Sequence, residues 1–104
     1  MTAKLTKNGE GSYKVVGDLS FGSVPDVWRE AREIFSGNAA GKSGAVRFDL
    51  SEVTRSDSAG LALLIEWMRS GKKRGISVSF SSIPDQMQEI ARVCGVADQL
   101  PGGD

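Results

Sequence analysis

Two rhythms of apolar residues alternate along this chain. Val46, Phe48 and Leu50 alternate with Arg47 and Asp49, a period of two that predicts a strand from Ala45 to Leu50. Ile76, Val78 and Phe80 alternate with Ser77 and Ser79 in the same way. Earlier, Tyr13 to Val16 reads as a strand that can run on toward Phe21, and Ala3 to Thr6 as a short one before it. Between these lie stretches with a helical period. Val24, Val27, Trp28, Ala31, Ile34 and Phe35 fall on one face of a helix, with Ser23 expected as its N-cap and Pro25 and Asp26 in its first turn. Ser36-Gly37-Asn38 is expected to end that helix, and a loop runs through Gly44. A second helix is predicted from near Ser58 to about Arg74, capped by Ser58 and stopped by a basic last turn and Gly75. Ser51 to Asp57 reads as a polar connection into it. A third helix is expected after Ser82 as cap, with Met87, Ile90, Ala91 and Cys94 as its stripe and Gly95 closing it. A last short pairing near Val96 to Leu100 would complete the chain.

Strands that alternate with helices imply a largely parallel sheet covered by helices. The expected fold class is therefore α/β: a small single-domain sandwich with a mixed central sheet of about four or five strands and three helices. Its 104 residues suit one domain, with 1–12 and 101–104 expected to be loosely ordered.

Composition narrows the chemistry. Apolar residues make up 39% and charged residues 25%, as in a globular domain. Thirteen basic residues balance thirteen acidic ones, so no electrostatic footprint for nucleic acid is expected. No apolar run reaches the roughly 20 residues that span a bilayer, and the first residues carry no secretory signal. With no histidine and one cysteine, zinc sites, redox dithiols and histidine-based triads are disfavoured. A phosphate-cradling loop would need more glycines and a lysine than surround Gly60. No metal, no cofactor and no catalytic activity are therefore expected.

The most specific stretch runs from Phe48 to Leu64: a strand ending in Asp49-Leu50-Ser51, then Asp57-Ser58-Ala59-Gly60 opening a helix that continues Leu61-Ala62-Leu63-Leu64. It resembles the signature of the STAS domain, named for sulfate transporters and anti-sigma factor antagonists, and the element order agrees along nearly the whole chain. Gly60 to Trp67, Ile83-Pro84, Ile90 to Val96 and Leu100-Pro101 are most similar to the small STAS subunit of the Mla phospholipid-transport ABC complex of Gram-negative bacteria. That resemblance implies a non-catalytic cytoplasmic subunit, peripheral at the inner membrane, that binds the ATPase in a system for outer-membrane lipid asymmetry. A permease and lipid-binding subunits would belong to the same complex. The rival implication is an anti-sigma factor antagonist, because Ser58 matches the serine phosphorylated in that branch.

Helix 2 supplies the expected contact face. At 100° per residue, Leu61, Leu64, Ile65 and Met68 form one stripe, taken as the core side. Ala59, Ala62, Leu63, Glu66, Trp67 and Ser70 then fall on or toward the other side, where an exposed Leu63 and Trp67 would mark a partner site, the alternative being a Trp67 partly buried by the neighbouring helix. With Ser56, Asp57, Ser58 and Gly60 at the helix entry, the first five of these make up the nine residues of the expected partner-binding set. Asp49 and Asp57 as a metal or phospho-acceptor pair lack the further acidic residues and late lysine that such a centre needs. Loop capping is their expected role. Cys94 is expected to be a small buried hydrophobe. Arg69, Lys72, Lys73 and Arg74 complement the helix dipole, with a weak anionic-lipid contact as a lesser alternative.

Overall fold

In the computed structural model, residues 3–9, 11–36 and 44–96 are described. The chain order is β1 (Ala3–Lys7), β2 (Ser12–Leu19), α1 (Val24–Ser36), β3 (Ala45–Ser56), α2 (Ser58–Lys73), β4 (Ser77–Ser81) and α3 (Asp85–Val93). The loop expected through 37–43 lies outside the described residues, as do most of the expected terminal pairing and the 101–104 tail. So does the side chain of Ile34 on the first stripe.

The four strands lie side by side in chain order. β1 runs antiparallel to β2, whereas β2, β3 and β4 are mutually parallel, so the sheet is mixed. Both parallel connections step the same way across the sheet. Right-handed crossovers therefore place α1 and α2 on one face. Register shows which face that is. Tyr13 is opposite Phe48, Phe48 opposite Phe80, and Val46 opposite Val78, and all five are buried. The alternate positions on the strands include Lys14, Arg47, Asp49, Ser77 and Ser79, all at least partly exposed. One face of the sheet is thus covered by helices and the other is polar. The expected α/β sandwich with a mixed sheet and three helices is thus built as two layers. The polar outer side chains, including the Lys14–Glu52 pair at 3.1 Å, let the second face stand in water.

β3 is longer than its apolar alternation. The segment Ser51 to Ser56, expected as a connection, continues the strand. Glu52, Val53, Arg55 and Ser56 pair with Val16, Gly17, Asp18 and Leu19 across register shifts in the ladder. Those irregularities break the period of two, so the continuation is invisible to alternation.

Caps differ from expectation too. Ser23 does stand just before α1, but its hydroxyl turns back. It donates to the Asp18 carbonyl and accepts from the Ser20 N–H at 3.0 Å, tightening the β2–α1 turn. The residue capping α3 is Pro84, not Ser82, and it makes no side-chain cap bond. Ser82 instead adopts φ of 56° in the β4–α3 turn. Cys94 is exposed at the C-cap of α3 rather than buried on its stripe. That helix is three turns at most, and its core contact is made by Met87 and Ala91.

Candidate partner-docking site

The entry to α2 is built around Asp57. Its backbone is extended, and Oδ1 accepts from the Ala59 N–H at 2.9 Å and the Gly60 N–H at 3.3 Å. Two donors that an α-helix leaves unpaired at its start are thereby satisfied. Oδ2 accepts from the Phe21 N–H at 3.1 Å. One carboxylate therefore caps α2 and ties the β2–α1 turn to it. The cap expected at Ser58 belongs to Asp57. Ser58 is the first residue of the helix, with its side chain exposed.

The core face of α2 also differs from expectation. Gly60, Leu64, Trp67 and Gly71 are all buried and fall within an arc of about 60° on the helix. Leu61 and Leu63 flank that arc and are buried as well. The true face is rotated by roughly 70° from the stripe Leu61–Leu64–Ile65–Met68. Ile65 and Met68 are only half-buried. Two causes are visible. The indole of Trp67 is fully buried and stacks on Phe48. The two glycines bring the helix backbone down onto the strands. A Cβ at Gly60 would come within 2.5 Å of the Leu19 carbonyl oxygen, and one at Gly71 within 2.5 Å of Val78 Cγ2. Trp67 is therefore not a surface anchor, and Leu63, 3% exposed, is part of the core.

The nine expected contact residues thus divide. Ser58, Ala62 and Glu66 are exposed, and Asp57 and Ala59 are partly exposed. Ser56, Gly60, Leu63 and Trp67 are buried. Three of these five form one bank of a groove of about 400 Å³ between α2 and the start of α1. Ala59, Ala62 and Glu66 line it from α2, with the edge of Leu63 at its floor. Phe21, Val24, Pro25 and Trp28 line it from the other side. These four were not among the expected contact residues. Phe21 is 83% exposed, a large apolar side chain held out from the turn that Asp57 clamps. The signal available in sequence was a phenylalanine inside a Ser20-Phe21-Gly22-Ser23 turn, where no core position is expected.

Among the described residues no cluster of histidine, cysteine, aspartate or glutamate is suited to a metal ion. No described helix is long and apolar enough to cross a membrane. The groove offers apolar surface and one carboxylate, that of Glu66, on its rim. Those groups suit binding of an apolar side chain.

The family model described as "Mlab, STAS domain" matches residues 6–102. The chain belongs to this STAS family. Its similarity to the intermembrane phospholipid transport system binding protein MlaB of Escherichia coli K12 is 37% identity over 59 residues. That match covers 56% of this chain and 61% of the relative, so it spans less than two thirds of the relative's length. The protein of the same name from Haemophilus influenzae is 28% identical over 97 residues, covering 92% of this chain and 91% of the relative. Among solved structures, the phosphorylated Bacillus cell-fate determinant SpoIIAA superposes with a TM-score of 0.70 at 12% identity. The superposition covers 98% of this chain and 90% of SpoIIAA, and shows a shared fold. The mixed four-stranded sheet with three helices is accordingly a STAS fold.

Proposed function

We propose that this STAS domain is the accessory subunit of a Mla-type phospholipid ABC transporter. It docks on the ATPase subunit through the groove between α1 and α2, with Ser58 at the end of the contact. The observation that carries the reading is the exposed Phe21 beside an apolar groove, on a chain whose relatives are named as binding proteins of a phospholipid transport system. An apolar side chain of the ATPase would fill the groove. Excluding water from Phe21, Trp28 and Ala62 supplies the binding energy, and the Asp57 clamp holds both banks in place beforehand. The role is one of assembly and regulation, played at the inner membrane through the complex, with the permease and lipid-binding subunits handling lipid.

The experiment is a binding titration between the purified domain and the purified ATPase subunit. Phe21→Ser and Ala62→Glu change groove surface without touching the core. Each is expected to weaken binding by about thirtyfold, the loss typical of a truncated or blocked anchor. Thermal melting should be unchanged. Wild-type affinity in both variants would refute groove docking.

A second reading has an observation of its own. Ser58 is exposed at the first position of α2, where a phosphate would meet the positive end of the helix dipole. On that reading the domain is a phosphorylation switch of the anti-sigma factor antagonist kind. Phosphate found on Ser58 in protein purified from its native cells, together with a co-purifying kinase, would favour it.

A further inference from the structure

The outward side of α2 does not end at the groove. Ser58, Ala62, Glu66, Arg69 and Lys73 are all exposed, and they fall within an arc of about 80° at 100° per residue. They form one straight ridge along the helix. Its first half borders the apolar groove. Its second half borders another depression, of about 440 Å³, lined by Glu66, Arg69, Ser70, Lys72 and Lys73. Glu66 lines both, so the two hollows adjoin along the ridge.

Charge is distributed unevenly along this ridge. The Glu66 carboxylate is already paired with Arg69 at 3.0 Å. Beyond that pair come Lys72, Lys73 and Arg74, all exposed, and among the described residues no carboxylate stands within ion-pair distance of them. The chain as a whole is neutral, yet this end of α2 presents three positive charges with no ion-pair partner among the described residues.

We infer that the partner seated in the groove is acidic where it passes the C-terminal half of α2, and that it presents carboxylates to Lys72 and Lys73. The inference rests on the docking reading above and adds to it the chemistry and spacing of the partner surface. Ala62 and Lys73 are eleven residues apart, so the ridge sets the distance between apolar anchor and carboxylates at about 16 Å. The shared rim residue favours one partner over two. A protein seated between Phe21 and Ala62 already covers Glu66 and reaches the cations within two further turns of helix. These exposed charges act on encounter rate and register, and they weaken with salt.

The test is the K72E/K73E variant, titrated with the purified ATPase subunit at about 50 mM and about 500 mM salt. At low salt the variant should bind about tenfold more weakly, or worse. At high salt most of the difference from wild type should vanish. The variant should stay folded and lose only the small contribution these two charges make against the helix dipole, because both side chains are in water. Phe21→Ser runs alongside as the control for docking itself, and should lose affinity at both salt concentrations. If Phe21→Ser weakens binding while K72E/K73E binds as wild type at low salt, docking stands and the acidic partner surface is refuted. If neither variant changes binding, the docking reading fails and the inference falls with it. Sedimentation with vesicles containing phosphatidylglycerol, without ATPase, covers the lipid alternative. Wild-type sedimentation that K72E/K73E abolishes, with ATPase affinity unchanged, would overturn the inference and assign the cations to anionic headgroups.

Discussion

Trp67 of α2 lies flat on Phe48 of β3, with ring centroids 4.1 Å apart and planes 13° from parallel. Phe48 in turn contacts Tyr13, Phe35 and Phe80, so one phenylalanine at the middle of the sheet joins β2, β4, α1 and α2. Offset-stacked aromatic pairs add to the area they bury.

Trp67→Ala should therefore destabilise the fold by about 3–5 kcal/mol, the range for deleting a buried tryptophan. Leu63→Asp should fail to fold as completely as Leu64→Asp, since both place a carboxylate among buried apolar groups. Ala62→Asp, on the outward ridge, should melt like wild type. Chemical denaturation of the series locates the core face of α2. A Leu63→Asp protein as stable as Ala62→Asp would return Leu63 to the surface.

Gly60→Ala should cost about 1–3 kcal/mol, because the added methyl meets the Leu19 backbone oxygen, which has little freedom to retreat. Gly71→Ala should also destabilise, since its methyl would meet Val78 and the Ile76 carbonyl. Gly22→Ala faces open space and should stay within about 0.5 kcal/mol of wild type. Equal melting temperatures for all three would contradict the close seating of α2.

Asp57→Ala removes the α2 cap and the tie to Phe21 together. A lost cap alone costs about 1 kcal/mol. Hydrogen exchange at the Phe21 amide should also accelerate, as its acceptor is gone. Ser58→Ala should leave stability and that exchange rate as they were. If Ser58→Ala is the more damaging change, the cap assignment is wrong.

Asp49 carries a pH signature. Its carboxylate accepts from the Ser51 N–H at 2.9 Å, and that bond, helped by Lys14, holds its pKa below the ordinary aspartate value. A depressed folded-state pKa means the unfolded chain binds the proton more readily. The contribution is complete above the unfolded pKa and is lost as pH falls through the folded one. Asp49→Asn should therefore be slightly less stable than wild type at neutral pH. The gap should close in strong acid, as read by denaturation at a series of pH values.

Apolar periodicity in the chain was enough to establish strands around Phe48 and Phe80, three helices, and their alternation. Period-two and period-3.6 burial are local properties, and each element shows its own. The Asp57-Ser58-x-Gly60 entry to α2 was legible through its resemblance to the STAS signature, although its cap is Asp57 and not Ser58. The orientation of α2 was not. Leu61, Leu63, Leu64, Ile65, Trp67 and Met68 surround most of the helix, so its apolar residues do not single out a face. That choice was made by Phe48, which gives Trp67 a partner, and by Leu19 and Val78, whose atoms leave room only for Gly60 and Gly71. The candidate groove was hidden likewise. Phe21 and Ala62 are separated in the chain by the whole of α1 and β3, and the pairing of Leu19 with Ser56, together with the Asp57 carboxylate, brings the turn bearing Phe21 against the start of α2. Sequence determined which elements form, because that depends on neighbours in the chain. Tertiary structure decided which side of α2 meets water, because that depends on what lies across the core.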